Sequence, residues 1–171
     1  MIRNNKLLLA AWAAALTASF YSTSLTAASI TANASANVLA PLAIAPGVNP
    51  MYFGDVSGDA ASITTVVLTT GGATSSADGA GVGGAPTAGD FDVTGAGNLA
   101  YDITLPLDGV VTLTNGGNPA MSVDGFSDSA GGSSSLVTGS DSFTVGATLT
   151  INANQPAALY TGTYDVIVNY Q

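Results

Sequence analysis

Apolar and polar residues alternate along most of the chain after about residue 28, and short β-branched runs recur between clusters of Gly, Ser, Asn and Asp. A two-residue period places one face of an extended chain against a core and the other face in water. Turn signals such as Asn115 followed by two Gly separate the runs, and helix signals are absent beyond the first segment. The pattern therefore predicts an all-β sandwich.

Eight strands are predicted. They cover residues 29–38, 62–69, 90–94, 100–105, 110–114, 120–126, 142–151 and 160–170. The Gly-, Ala- and Ser-rich residues 71–89 are predicted to form a surface loop, and residues 131–134 a shorter loop.

The first and last predicted strands have the clearest alternation. The apolar face of the first consists of Ile30, Ala32, Ala34, Ala36 and Val38. The apolar face of the last consists of Tyr164, Val166, Val168 and Tyr170. The first segment is either an ordinary strand of the sandwich or a strand donated to a neighbour, since both satisfy the same pattern. The last predicted strand has large apolar residues on one face, so its edge must pair with another strand.

Residues 1–28 have the composition of a secretory signal peptide. Arg3 and Lys6 precede an apolar stretch, and small residues at Ala27 and Ala28 suit cleavage. The apolar stretch is too short and too interrupted by Ser and Thr for a good membrane span, which needs ~20 residues. We expect a secreted protein without stable membrane insertion.

Charge and cysteine content exclude several classes of function. Arg3 and Lys6 are the only basic residues, against eleven acidic residues, all of them Asp. Such a chain is a poor partner for nucleic acid, whose binding depends on cationic side chains. The chain has no cysteine, so stability must come from burial, backbone pairing or assembly rather than from disulfides.

No residue set supports catalysis. The lack of His and Cys excludes the usual Ser–His and thiol mechanisms. The carboxylate pair Asp90 and Asp92 is more typical of a solvated strand face than of an active site, and we expect no enzyme activity and no cofactor. Asp residues in the Gly- and Ser-containing segments 54–59 and 124–128 leave open an alternative, a monomeric cell-surface sandwich that binds calcium or carbohydrate.

Several short motifs, in order along the chain, resemble those of bacterial pilins assembled by a chaperone and an usher, particularly the archaic, spore-coat-protein-U-like branch or a closely related secreted family. The motifs are residues 36–44 (ANVLAPLAI), 51–54 (MYFG), 101–106 (YDITLP), 143–149 (FTVGATL) and 160–170 (YTGTYDVIVNY).

This resemblance implies an immunoglobulin-like sandwich, residues 41–171, that lacks one strand. Residues 29–40 would be the donor strand, which inserts its apolar face, Ile30 to Val38, into a groove on the next copy. The strand that carries Tyr164 to Tyr170 would border that groove and pair first with a periplasmic chaperone. The chain would then be the major structural subunit of an extracellular filament, a pilus, with an outer-membrane usher as its other assembly partner. Whether the donor pairs in trans or folds back in cis is left open.

Overall fold

The computed structural model describes residues 27–117 and 119–171, so most of the predicted signal peptide lies outside the described residues. The described residues form twelve strands: β1 (Ala43–Pro46), β2 (Asp55–Ser57), β3 (Thr64–Leu68), β4 (Thr74–Ser75), β5 (Gly81–Gly83), β6 (Gly89–Thr94), β7 (Ala100–Thr104), β8 (Val111–Leu113), β9 (Met121–Asp128), β10 (Ser133–Ser135), β11 (Ser140–Ile151) and β12 (Ile167–Tyr170). All strand pairs are antiparallel. The predicted all-β fold is confirmed. In the described part of the chain, no helix has the length and hydrophobicity to cross a membrane.

The larger sheet is organised around β11, its longest strand. β6 pairs with the first half of β11 and β3 with its second half, while β9 pairs with the opposite edge. β1 extends the sheet beyond β6, β4 lies beyond β3, and β8 lies beyond β9. The register against β9 shifts between Gly146 and Thr148, which is a β-bulge.

The smaller sheet has the order β10-β7-β12. Its residues Tyr101 and Ile103 belong to the same buried cluster as Val93 and Phe143 of the larger sheet. We call this cluster the sandwich core, because inward side chains of two facing sheets meet in it.

A second buried cluster lies on β3, β8, β9 and β11, together with Phe53 from the segment before β2. Its members are Phe53, Val66, Leu68, Val111, Met121, Val123, Ala147, Leu149 and Ile151. Among the described residues, none of this cluster comes from the smaller sheet. The side chains that face it instead come partly from irregular segments, and include Met51, Tyr160 and Tyr164. This half of the sandwich is therefore covered by loops rather than by a complete second layer.

Four of the sequence-based assignments were wrong in detail. Residues 29–38 form no strand, because none of them pairs with another strand in the described chain. Of residues 160–170, only β12 is a strand. The predicted loop 71–89 contains β4, β5 and the start of β6, and the predicted loop 131–134 contains the start of β10.

By its internal contacts, the chain divides between Ala36 and Asn37. Every side chain in residues 27–41 is exposed, with Ile30 95% and Val38 92% accessible. In the described chain, the alternating face predicted for this segment is therefore exposed to solvent.

Candidate functional site

β12 is hydrogen-bonded along one edge only. It pairs with β7 from Ile167 to Tyr170, and the N–H of Gln171 donates to a β7 carbonyl at 3.2 Å. Alternate residues of an antiparallel pair direct their backbone groups to the partner. Ile167, Asn169 and Gln171 therefore bond to β7, while Val168 and Tyr170 direct N–H and C=O to the other edge. In the chain as described, no strand pairs with that edge.

The segment that contains β1 forms the opposite flank. At one end, the hydroxyl of Tyr170 donates to the carbonyl of Ala40 at 2.9 Å. At the other end, Met51 and Tyr164 line the same cavity. Residues 40–51 and 164–170 therefore run in opposite directions along the two sides of a gap. β1 is bonded to β6 on its far side and, like β12, has no paired strand in the gap.

The gap is partly closed. β1 and β12 come within 8 Å of each other at their nearest Cα atoms, but they are not paired. Hydrogen-bonded neighbours lie ~4.8 Å apart, so two strands that flank a third are ~9.6 Å apart. A strand seated in the gap must therefore move the flanks apart by at least ~1.6 Å where they are closest.

Apolar side chains line the gap from both flanks. Leu42 and Ile44 on one side and Val166 and Val168 on the other are half-buried and pack against the sandwich core. Such side chains gain ~25 cal/mol for each Å² of apolar surface removed from water. The floor of the gap therefore favours an apolar strand over a polar one.

Aromatic rings form the floor near Tyr164. Its ring lies edge-on to Phe91 with centroids 6.0 Å apart and is tilted against Phe126 at 5.5 Å. Phe91 in turn stacks on Phe143 at 5.5 Å. Burial raises the pKa of Tyr164 to about 12. The ring is therefore uncharged near neutral pH, and this end of the gap stays apolar.

Tyr170 closes the other end. Besides donating to Ala40, its hydroxyl accepts the N–H of Ala96 at 2.6 Å. The tyrosine fits because residue 95 is Gly: a β-carbon there would collide with the Tyr170 hydroxyl and approach Leu136 at 3.0 Å. The penultimate tyrosine thus connects β12 to the segment before β1 across the gap.

A partly open cavity of about 440 Å³, lined by both apolar and polar groups, lies beside Tyr164. One wall is formed by residues 51–56 and another by residues 157–162, while Val123 and Leu149 of the second buried cluster contribute to its lining. Because the cavity is partly open to solvent, the second buried cluster is not fully covered at this place.

The two sets of predicted interface residues lie in different surroundings. The acceptor set, Tyr164, Val166, Val168 and Tyr170, is half-buried along one side of the gap, and the residues between its members are exposed. The donor set, Ile30, Ala32, Ala34, Ala36 and Val38, is exposed throughout.

Sequence reasoning missed the other half of the site. The strand β1 was not predicted, and neither was the cavity between residues 51–56 and 157–162. The signal that could have identified β1 is the alternation of Leu42 and Ile44 with two Ala, which the flanking Pro41 and Pro46 obscure.

The loop carboxylates that suggested calcium act mainly as acceptors for backbone amides. Asp59 accepts the N–H groups of Ala61 at 2.6 Å and Ser62 at 3.0 Å, and Asp124 accepts that of Gly109 at 2.7 Å. Over residues 27–117 and 119–171, no group of three or more metal-binding side chains is close enough to hold an ion.

The carboxylate pair Asp90 and Asp92 lies on the outer face of β6. Asp92 is exposed, and the carboxylate of Asp90 accepts the side-chain amide of Asn49 at 2.6 Å. The inward positions of the same strand, Phe91 and Val93, pack on the sandwich core. The two carboxylates share a face, as the two-residue period predicts.

The fold and this gap define an antiparallel β-sandwich with an unpaired edge on each flank of an apolar groove. The sequence profile of a family described as "Domain of unknown function (DUF4402)" matches residues 42–170, and the chain belongs to that family. Neither a curated protein nor a solved structure matches the chain.

Proposed function

We propose that the protein is the structural subunit of an extracellular bacterial filament. Each copy donates residues 29–38 to the gap between β1 and β12 of the next copy and so completes an immunoglobulin-like sandwich that lacks one strand. The observation that carries the proposal is the gap itself, an apolar groove between two unpaired edges in a chain that also has an exposed alternating segment.

Residues 29–38 extended span ~33 Å, which is enough to cover the ~23 Å of residues 164–170 along one side of the gap. The small Ala32, Ala34 and Ala36 suit a narrow groove, with Ile30 and Val38 as larger side chains at either end. A gap that is partly closed without an occupant is consistent with a groove that opens around a guest strand.

Two kinds of interaction favour insertion. Each backbone hydrogen bond to β12 contributes ~1 kcal/mol net, and full burial of Ile or Val contributes ~1.5–3 kcal/mol. Several such terms together are of the same order as the association cost of ~4–15 kcal/mol. Charge does not oppose insertion, since residues 7–54 carry no charged side chain although the rest of the chain is acidic.

Assembly partners follow from the resemblance to chaperone-usher pilins. A periplasmic chaperone would cover the unpaired edge of β12 before polymerisation, and an outer-membrane usher would export the subunits. An edge strand with large apolar residues needs such protection, because it is a template for aggregation.

Electron microscopy of the full-length protein, exported from cells that also express its assembly partners, tests the proposal. Ile30→Asp with Val38→Asp should abolish filaments, because each change places a carboxylate in an apolar groove. Since both side chains are exposed in the chain alone, the monomer should keep its circular dichroism spectrum and melting temperature.

A matched control carries the same two charges on the opposite face of the segment. Thr31→Asp with Asn37→Asp should still form filaments, because these positions point away from the groove. Filaments in the Ile30/Val38 variant, or loss of filaments in both variants alike, would contradict donation through the alternating face.

A further inference from the structure

We infer that Asn115 is a site of spontaneous covalent modification, at which the side-chain amide is lost and the residue becomes aspartate or isoaspartate. Asparagine is chemically labile in proteins. The site is the turn after β8, where Asn115, Gly116 and Gly117 are all exposed. Asn115 and Gly116 form the only Asn-Gly pair in the sequence. The reaction needs neither a partner nor filament assembly.

The reaction proceeds through a cyclic imide. The backbone nitrogen of Gly116 loses its proton to solvent base and bonds to Cγ of Asn115, and the side-chain nitrogen leaves as ammonia with a proton from water. Water then opens the ring. Cleavage between Cγ and the Gly116 nitrogen gives aspartate, and cleavage between the Asn115 carbonyl carbon and the same nitrogen gives isoaspartate. Water is the only co-reactant, and nothing is oxidised or reduced.

The turn favours this attack. The N–H of Gly117 donates to Oδ1 of Asn115 at 2.9 Å, which polarises the carbonyl under attack and stabilises the negative charge that develops on its oxygen. The N–H of Gly116 donates to the hydroxyl of Thr114 at 3.1 Å, so freeing it breaks no hydrogen bond of the sheet. A φ of 84° favours glycine at residue 116, and glycine has no side chain to shield the attacking nitrogen.

Three Asp-Gly pairs offer the same ring closure, and they begin at Asp78, Asp108 and Asp124. All three are slower in principle, because a negatively charged carboxylate is a weaker electrophile than an amide. Two of them also block each other. The N–H of Gly109 donates to Asp124 at 2.7 Å, and the N–H of Gly125 donates to Asp108 at 2.8 Å. Each attacking nitrogen is therefore held in a charge-assisted hydrogen bond that must break first.

Modification at Asn115 alters a contact with the cavity wall. Thr114, the preceding residue, exchanges two backbone hydrogen bonds of 2.9 Å with Thr161, which lines the cavity. In isoaspartate the main chain continues through the side chain, so an extra backbone carbon enters one residue from this pair. Either product also adds a carboxylate to an acidic chain. Because water is the only reagent, the modified form accumulates with the age of the chain.

Peptide mapping of the exported protein, incubated in mildly alkaline buffer, tests the inference. A protease that cuts before aspartate releases residues 108–123 as one peptide. Conversion of Asn115 changes the mass of this peptide from that of an amide to that of an acid. Aspartate at this position creates a new cleavage site, and isoaspartate becomes a substrate for an isoaspartyl methyltransferase. We expect Asn115 to react before any other asparagine of the chain.

Asp108→Asn is the matched control, because it creates a second Asn-Gly pair in the same folded chain. The N–H of Gly109 still donates to the Asp124 carboxylate, and the new amide oxygen can still accept the N–H of Gly125. Position 108 should therefore react at least about tenfold more slowly than Asn115, because the charge-assisted hydrogen bond must break first. In urea, where these contacts are lost, the two positions should react at similar rates.

Equal rates at positions 108 and 115 in the folded variant would overturn the inference that the fold selects Asn115. Modification that begins at another asparagine would overturn it too, and so would an Asn115 that stays intact in the folded chain while it reacts in urea. These outcomes are read on single chains, so they leave the proposed filament untouched.

Discussion

Tyr170→Phe is expected to destabilise the chain, because the tyrosine hydroxyl joins the two sides of the gap. The substitution keeps the ring and removes one oxygen. That oxygen donates to Ala40 at 2.9 Å and accepts from Ala96 at 2.6 Å. Each of these hydrogen bonds contributes ~1 kcal/mol, and the half-buried N–H of Ala96 can bond to water once the hydroxyl is gone. We therefore expect the free energy of unfolding to fall by ~1–2 kcal/mol.

Urea denaturation followed by circular dichroism measures this loss. A loss of that size lowers the melting temperature by ~3–8 °C in a domain of this length. The Ile30→Asp/Val38→Asp background is the best host, because polymerisation would add its own stabilisation. Since the hydroxyl also ties the flanks together, the same substitution in a chain with an intact donor segment should speed filament growth.

Tyr160→Phe is the matched control. The Tyr160 hydroxyl donates only to the carbonyl of Pro156, four residues away, at 2.9 Å, so its removal should cost less than ~1 kcal/mol. Equal losses in the two variants, or no loss at Tyr170, would show that Tyr170 does not connect the flanks of the gap.

Two further predictions concern pH. Burial by itself would raise the pKa of Asp141, but hydrogen bonds from Ser134 and Tyr101 outweigh it, and the pKa lies below the ordinary 3.8. The stability that Asp141 contributes is therefore present above pH 3.8 and lost as the pH falls below it, so the difference in unfolding free energy between wild type and Asp141→Asn should shrink in acid. At alkaline pH, two tyrosines matter. Burial raises the pKa of Tyr164 to about 12, and in Tyr101 burial and the hydrogen bond to Asp141 together raise the pKa to about 12. The free energy of unfolding should therefore fall between pH 10 and about 12, and Tyr101→Phe should make this fall smaller. The same fall in the variant as in the wild type would contradict the burial of the Tyr101 hydroxyl.

The strands that the sequence predicted well are those with a buried face and clear turns at both ends. β11 is an example: Phe143, Val145 and Leu149 alternate with hydroxylated residues, and each is nearly inaccessible. Here local pattern and tertiary burial agree, so the two-residue period was enough.

The elements that were missed or wrongly assigned are those whose formation depends on a pairing partner. β2 and β5 form a separate two-stranded ribbon with little apolar content, and nothing in the Gly-rich sequence of β5 indicates its partner. Residues 29–38 have the cleanest alternation of all but form no strand, because a strand exists only when it is paired. Likewise, the sequence predicted one side of the gap, Tyr164 to Tyr170, but could not show that β1 would lie across from it.

Amide hydrogen exchange along β12, measured by NMR on the Ile30→Asp/Val38→Asp chain, tests the central claim most directly. Without a partner, the N–H groups of Val168 and Tyr170 should exchange quickly, and those of Ile167 and Asn169, bonded to β7, slowly. Addition of a synthetic peptide of residues 28–39 should slow Val168 and Tyr170 selectively. Protection of all four amides before the peptide is added, or no change after it, would contradict an open edge that receives a donated strand.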